Sequence, residues 1–148
     1  MAEDYRAILD ATKIQSGTYG ELWWDSEYMS EAKAIDIKDE FEKESIKVVR
    51  DRRVKHKTLA VEGKGSVTLY KINSFAIKKL KDFSLGNAEE PRFTLMTNLD
   101  DPSGLGAERL IFNGVMFDDL TWVKTEVGTL GEIELPFTYE SVEIVSLV

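Results

Sequence analysis

Apolar and polar positions alternate with a period of two through most of the chain, and that period predicts strands. From Ala32 to Lys43, Ile35, Ile37 and Phe41 fall on one side, and Asp36, Lys38, Glu40 and Glu42 on the other. From Lys57 to Ile72, Leu59, Val61, Val67 and Leu69 share a parity with Gly63 and Gly65. Those glycines permit a bulge or a close approach. Arg92 to Leu99 puts Phe93, Leu95 and Leu99 on one face, and Arg109 to Phe112 and Val115 to Val127 predict two more strands. Glu132 to Tyr139 alternates most cleanly, with Ile133, Leu135, Phe137 and Tyr139 against Glu132, Glu134, Pro136 and Thr138. Pro136 lacks a ladder donor, which predicts an edge or a bulge there. Near the start, Glu21 to Trp24 and Tyr28-Met29 flank Asp25-Ser26-Glu27 and read as two short strands around a tight turn.

One helix interrupts this series. Ala76, Ile77, Leu80 and Phe83 recur at helical spacing behind a capping Asn73 or Ser74, and Leu85-Gly86-Asn87 ends the run. Lys78, Lys79, Lys81 and Asp82 lie largely outside the stripe, which is expected to cover one opening of a β-sandwich or barrel. A weaker helical stretch, Tyr5 to Thr12, is too short to stand alone and is either disordered or docked. The predicted class is mainly β: a barrel or sandwich of antiparallel strands with one flanking α-helix, over residues 16–148, behind an N-terminal arm of residues 1–15. Residues 44–57 break the alternation with Lys47, Arg50, Arg52, Arg53, Lys55, His56 and Lys57 and few large apolar side chains. They predict a long hairpin tip or a protruding loop.

Composition narrows the chemistry. A length of 148 residues fits one domain with a sizeable core. The chain has no cysteine, which removes disulfides, thiolate nucleophiles and thiolate metal sites, and His56 is its only histidine. Its net charge of −8 opposes simple nucleic-acid wrapping. That charge is unevenly placed: −6 over residues 1–43, +4 over 44–57, +3 over 58–88 and −9 over 89–148. In a self-assembling protein such blocks supply complementary patches on each copy. The acidic N-terminus has no signal-peptide pattern, and no apolar run approaches a membrane span, so cytoplasmic synthesis without membrane insertion is expected.

No residue set composes an active site. The pairs Asp39-Glu40, Glu89-Glu90, Asp100-Asp101 and Asp118-Asp119 are adjacent, and neighbours on a strand point to opposite faces; they read as solvated surface. Gly63-Lys64-Gly65-Ser66 and Gly104-Leu105-Gly106 lack phosphate-loop spacing. His56 sits among cations, and the basic segment holds no aromatic residue for base stacking. Trp23, Trp24 and Trp122 could line a ligand or sugar site, but strand tryptophans more often serve core or interface. No catalytic residue, cofactor site or metal ligand is expected, and the chain is read as a non-enzyme.

Several strings nevertheless occur in a recognisable order. They are Ser16-Gly17-Thr18-Tyr19-Gly20-Glu21-Leu22-Trp23, Gly63-Lys64-Gly65-Ser66-Val67-Thr68-Leu69-Tyr70-Lys71, Glu90-Pro91-Arg92-Phe93-Thr94-Leu95 and Gly106-Ala107-Glu108-Arg109. Phe117-Asp118-Asp119-Leu120 and Gly131-Glu132-Ile133-Glu134-Leu135-Pro136-Phe137-Thr138 close the set. Together, over roughly residues 16–140, they resemble the tail tube protein of contractile phage tails, in the branch found in defective prophages of Gram-positive bacteria. Closely similar proteins form the inner tube of clostridial R-type bacteriocins. Residues 1–15 and 44–57 lie outside the matched strings.

The resemblance implies a fold shared with phage and type VI secretion tube proteins, hexameric rings, and their stacking into a hollow tube inside a contractile sheath. Each subunit would give four strands to a continuous inner barrel. The implied partners are other copies, the sheath protein, the baseplate and tail terminator proteins, with genomic DNA passing through the lumen in a phage. The implied location is a virion tail or phage-tail-like particle assembled in the host cytoplasm. A strand from Ala32 to Lys43 would span roughly 40 Å, and roughly twenty-four tilted strands would make a backbone cylinder about 45–50 Å across. Asp36, Lys38, Glu40, Glu42, Glu132 and Glu134 are the candidate lumen lining, an acidic wall that repels phosphate. Lys47, Arg50, Arg52, Arg53, Lys55, His56 and Lys57 are the candidate contact to a neighbouring subunit or ring. The alternatives are a type VI-like secretion tube subunit, a tube-terminating protein, or a monomeric β-barrel module binding a ligand or carbohydrate.

Overall fold

In the computed structural model, which describes residues 10–148, the chain runs β1 (Gly20–Trp24), β2 (Glu27–Tyr28), β3 (Ala32–Ile46), β4 (Lys55–Tyr70), α1 (Phe75–Ser84), β5 (Phe93–Leu99), β6 (Glu108–Phe117), β7 (Glu132–Tyr139) and β8 (Ser141–Ser146). All strand pairs are antiparallel, in the order β2-β1-β5-β6-β7-β4-β3, with β8 also on β6. The class is therefore the one expected, mainly antiparallel β with one helix. The ladder is open, with β2 and β3 at its two ends.

The sheet turns inward along β6. Its first half pairs with β5 and β8, and Met116 and Phe117 pair with β7. Between these halves the register with β5 slips by one residue, from Phe93↔Val115 to Leu95↔Phe112. Gly114 sits in the slip at φ +67°, and a Cβ there would meet the Glu140 side chain at 2.8 Å. The halves then face each other. Leu22, Trp24 and Leu95 from one pack with Val67, Leu69, Ile133 and Leu135 from the other in one buried cluster. Trp24 is the centre, its ring 4.7 Å from Phe117, 5.2 Å from Phe75 and 5.3 Å from Phe93 between centroids.

The helix closes one side of this core. Ala76 and Leu80 are buried and Phe75 reaches Trp24, while Phe83 stays exposed, so the stripe is narrower than its spacing suggests. Asn73 Oδ1 accepts from the Phe75 N–H at 3.1 Å, and Ser74 caps nothing with its side chain. At the other end Gly86 adopts φ +78°, its N–H donates to Phe83 O, and the Asn87 N–H donates to Asp82 O. Those two reversed bonds satisfy carbonyls that the last turn would leave open.

Several details depart from the sequence reading. Arg109–Phe112 and the start of Val115–Val127 are one strand, β6, and residues 118–131 form an extended loop. Strand β8 was not anticipated. Pro136 lies in an interior strand; its carbonyl accepts from the Asp118 N–H just past the end of β6, so its missing donor faces a place where that ladder stops. Asp101 is not solvated surface: at 7% exposure it accepts from the Ser16 and Ser103 N–H groups at 2.8 and 2.9 Å. Of the predicted Tyr5–Thr12 stretch, residues 5–9 lie outside the described residues, and Ala11–Lys13 form a 3-10 turn capped by Asp10.

The glycines of β4 do make close approaches. Gly63 pairs with Tyr139 and Gly65 with Phe137, and the aromatic rings lie across the glycines. A Cβ on Gly65 would stand 2.7 Å from the Phe137 ring and 2.8 Å from the Asp36 carbonyl oxygen. Gly65→Ala is therefore expected to destabilise the fold by about 1–3 kcal/mol in urea unfolding. Gly17→Ala, with nothing within 4 Å, is the matched control expected to leave the midpoint unchanged.

Candidate assembly surfaces

Strand β4 has 16 residues and its partner β7 only 8. The β4–β7 ladder stops at Gly63↔Tyr139, whereas the β3–β4 ladder continues to Ile46↔Lys55. Beyond that row the hairpin projects as a two-stranded arm, roughly 23 Å long at about 3.3 Å per residue. A lone hairpin is marginal in water. This one carries Phe41 and Val61, directly paired, at 62% and 56% exposure, with Leu59 beside them at a register slip.

Asp39 and Tyr139 anchor the arm to the body. The Tyr139 hydroxyl donates to Asp39 Oδ1, and its ring covers Gly63. Burial, reinforced by the Asp39 carboxylate that accepts the hydroxyl's hydrogen bond, pushes the Tyr139 phenol up to about 12.

The 44–57 segment is a hairpin tip in which only residues 47–54 leave the ladder. Lys47, Arg50, Arg52 and Arg53 stand on that tip, whereas Lys55, His56 and Lys57 are strand residues facing Ile46, Ser45 and Glu44. All are exposed. The Asp51 N–H donates to Val48 O at 3.2 Å, Arg50 takes φ +64°, and Asp51 Oδ1 accepts from the Arg53 N–H at 2.9 Å. Val48, Val49 and Val54 are exposed among these cations.

The candidate lining residues share one face. Ile35, Ile37, Val67, Leu135 and Phe137 turn toward the core, which leaves the opposite parity of β3, β4 and β7 in solvent. Across that face the rows read Ala34–Thr68–Glu134, Asp36–Ser66–Pro136, Lys38–Lys64–Thr138 and Glu40–Glu62, with Glu42 above and Glu132 beside Tyr70. Lys64 reaches Glu40 at 3.2 Å and Glu62 at 3.6 Å, and Lys38 reaches Glu40 at 3.7 Å. Lys33, displaced at a bulge, reaches Glu132 at 2.6 Å. These carboxylates raise the pKa values of Lys33 and Lys64. Asp36, Glu42 and Glu134 have no cationic partner among the described residues, so the face keeps an acidic excess.

Where the ladder stays open, a groove of about 460 Å³ is of mixed character, with Ile35, Ile37, Leu110 and Phe112 lining it together with Glu21, Lys33, Asn98 and Glu108. Other surfaces are apolar. Loop 118–131 exposes Trp122, Val123, Val127 and Leu130, and β8 with its tail exposes Ile144, Val145, Leu147 and Val148. Sequence reasoning missed both because it placed Val123 and Val127 in a strand and stopped at Tyr139. The signal present was Thr125-Glu126-Val127-Gly128, a turn string inside the supposed strand. The tryptophans do not converge: Trp24 is core, Trp23 packs on Tyr28, and Trp122 is half exposed on the loop.

A family model described as phage tail tube protein matches residues 7–146. The phage-like element PBSX protein XkdM of Bacillus subtilis (strain 168) is 33% identical over 138 residues, covering 92% of this chain and 93% of XkdM. In fold, the chain resembles the tube-terminating cap of the anti-feeding prophage, with a TM-score of 0.69, 10% identity and coverage of 98% of this chain and 100% of that one. It also resembles a chain of the PVC extracellular contractile injection system sheath-tube complex in the extended state, with a TM-score of 0.65, 6% identity and coverage of 99% and 100%.

The anchor of the arm is testable by pH. Because the folded Tyr139 pKa lies above its ordinary value of 10.0, the contribution is complete below pH 10 and is lost as pH rises toward about 12. Phenolate absorbance should show one tyrosine titrating late in the folded protein. Tyr139→Phe should remove that late step and flatten the loss of stability over the same window.

Proposed function

The chain belongs to the phage tail tube protein family, and we propose that it is the subunit of a hollow tube built from stacked hexameric rings inside a contractile tail. It is a structural component of a phage-tail-like particle. The observation that carries the tube reading is the bare β3–β4 arm: a projecting hairpin with exposed Phe41, Leu59 and Val61 and a basic tip has little reason to stand free in water. A neighbouring copy supplies the cover. Open ladder ends at β2 and β3 support the same reading, since each offers backbone groups for pairing with another subunit.

The polar face of β3, β4 and β7 is the proposed lumen wall, with Asp36, Lys38, Glu40, Glu42, Glu132 and Glu134 lining it. The opposite parity is already used by the core, which supports this assignment. An acidic wall disfavours adhesion of phosphate and leaves passage of DNA open. Within the particle the partners are the sheath, baseplate and terminator proteins, and assembly takes place in the host cytoplasm. The same tube chemistry serves a phage or a bacteriocin, the difference being whether a DNA-filled head is attached.

Negative-stain electron microscopy of the purified protein tests the first step. Tubes or stacked rings are expected; persistent monomers at high concentration would reject the tube reading. Arg50→Glu, Arg52→Glu and Arg53→Glu combined should leave far-UV circular dichroism unchanged and abolish tube growth, because these side chains are exposed and make little of the fold.

The lining is testable because the native chain has no cysteine. A single Asp36→Cys in assembled tubes should react slowly with a maleimide on a bulky polymer while free subunits react fast. Equal rates in tubes and subunits would place Asp36 on the outer wall.

A further inference from the structure

We propose that loop 118–131 is the seat for the arm tip of the next ring, an assignment that rests on the stacked-ring reading above. Strand β4 makes the two surfaces opposite ends of one rod. The tip begins where β4 begins, at Lys55. At the far end of β4, Tyr70 pairs with Glu132 and the Lys71 N–H donates to Gly131 O at 2.7 Å, so the loop closes against the last residues of the same strand. The loop lies along Ser66–Tyr70, from the Asp118 N–H on Pro136 O to Gly131 O on the Lys71 N–H, which puts it roughly 35–50 Å along β4 from the tip. One molecule therefore cannot seat its own tip in its own loop, and a second copy displaced along the strand direction can.

The two surfaces match in chemistry. The tip offers Lys47, Arg50, Arg52 and Arg53 around exposed Val48, Val49 and Val54. The loop offers exposed Asp118, Asp119 and Glu126 around Trp122, Val123, Val127 and Leu130, with Lys124 as its one cation. Opposite charge brings the surfaces together and sets their orientation, and the apolar side chains supply contact once water is excluded.

The loop is also shaped as a presented surface. The Thr129 N–H donates to Glu126 O at 3.3 Å, and Gly128 takes φ +84°, which makes residues 126–129 a tight turn. Val127 occupies its apex at 103% exposure. Turn apices favour small polar residues, and a valine held fully in water by an ordered turn is a contact awaiting its partner. Asp118 and Asp119 stand next to Leu120 at a shallow hollow lined by Leu80, Phe83 and Phe117, which extends the apolar part of the seat toward the helix.

Cross-linking tests this without disturbing any charge. Val49→Cys and Val127→Cys are made as separate proteins, mixed, assembled, and treated with a short bismaleimide. Dimers joining one copy of each are expected in tubes and not in dilute subunits. An Ile144→Cys protein serves as the decoy partner for Val49→Cys. Efficient linking of the tip to Ile144→Cys, with none to Val127→Cys, overturns the proposal.

Charge exchange is the second arm. Reversing Arg50, Arg52 and Arg53 to Glu, or Asp118, Asp119 and Glu126 to Lys, should each remove sedimentable tubes while circular dichroism stays native. The doubly reversed protein should regain them. Native-like protein that stays tubeless after double reversal counts against the pairing. Failure of the unsubstituted protein to form tubes at all would instead strike the stacked-ring reading itself.

Discussion

The mismatch between β4 and β7 is the constraint on which the other features depend. Eight residues of β7 can hold only half of a strand of 16, and the ladder ends at the Gly63↔Tyr139 row. Below that row β3, β4 and β7 share a core with the rest of the sheet. Above it, β3 and β4 hold only each other. Tyr139 marks the border from both sides: its ring covers Gly63 and its hydroxyl holds Asp39, so the last residue of the short strand fastens both long ones. An arm rooted in this way keeps its direction, and that matters more for a repeating contact than the strength of any one hydrogen bond.

The body supplies the rigidity the arm needs. Trp24 gathers Phe75, Phe93 and Phe117 from the helix and both halves of the sheet, so the fold at Gly114 is held by side chains as well as by backbone. Close glycine–aromatic rows between β4 and β7 leave little room for those strands to slide. The molecule thus combines a packed half, where changes of one methyl are felt, with a bare arm whose apolar residues stand in water.

What the sequence revealed follows this division. Parity sorted core from solvent along Glu132–Tyr139 and, on β3, only as far as Ile37, because alternation reflects a buried and a wet face. The helix was legible through Ala76 and Leu80, and its end through Gly86. Parity could not tell that Phe41, Leu59 and Val61 stand in water, since an exposed apolar strand face carries the same pattern as a buried one. Asp36, Lys38, Glu40, Glu42, Glu132 and Glu134 stand on one face, as alternation alone implies, but the bulge that sends Lys33 to Glu132 is a property of register and left no local signal. Loop 118–131 was misread for a related reason: its apolar residues serve a surface, and their number imitates a strand. Asp101 was misread because its hydrogen-bond partner, Ser16, is 85 residues away.

Charge then decides which repeat these surfaces permit. At physiological salt, exposed charges act over only about 8 Å, so the acidic face and the basic tip behave as separate local surfaces and not as one net field. Tip against tip brings Lys47, Arg50, Arg52 and Arg53 onto their own copies, and loop against loop does the same for Asp118, Asp119 and Glu126. Both self-matching contacts are repulsive. Tip against loop is the arrangement left, and it is heterologous: it uses different surfaces on the two copies and leaves one of each unfilled at the ends. A contact of that kind does not close on itself along its axis and therefore propagates. On this argument the two surfaces act as a polarity rule, with Lys47, Arg50, Arg52 and Arg53 beyond one end of β4 and Asp118, Asp119 and Glu126 toward the other.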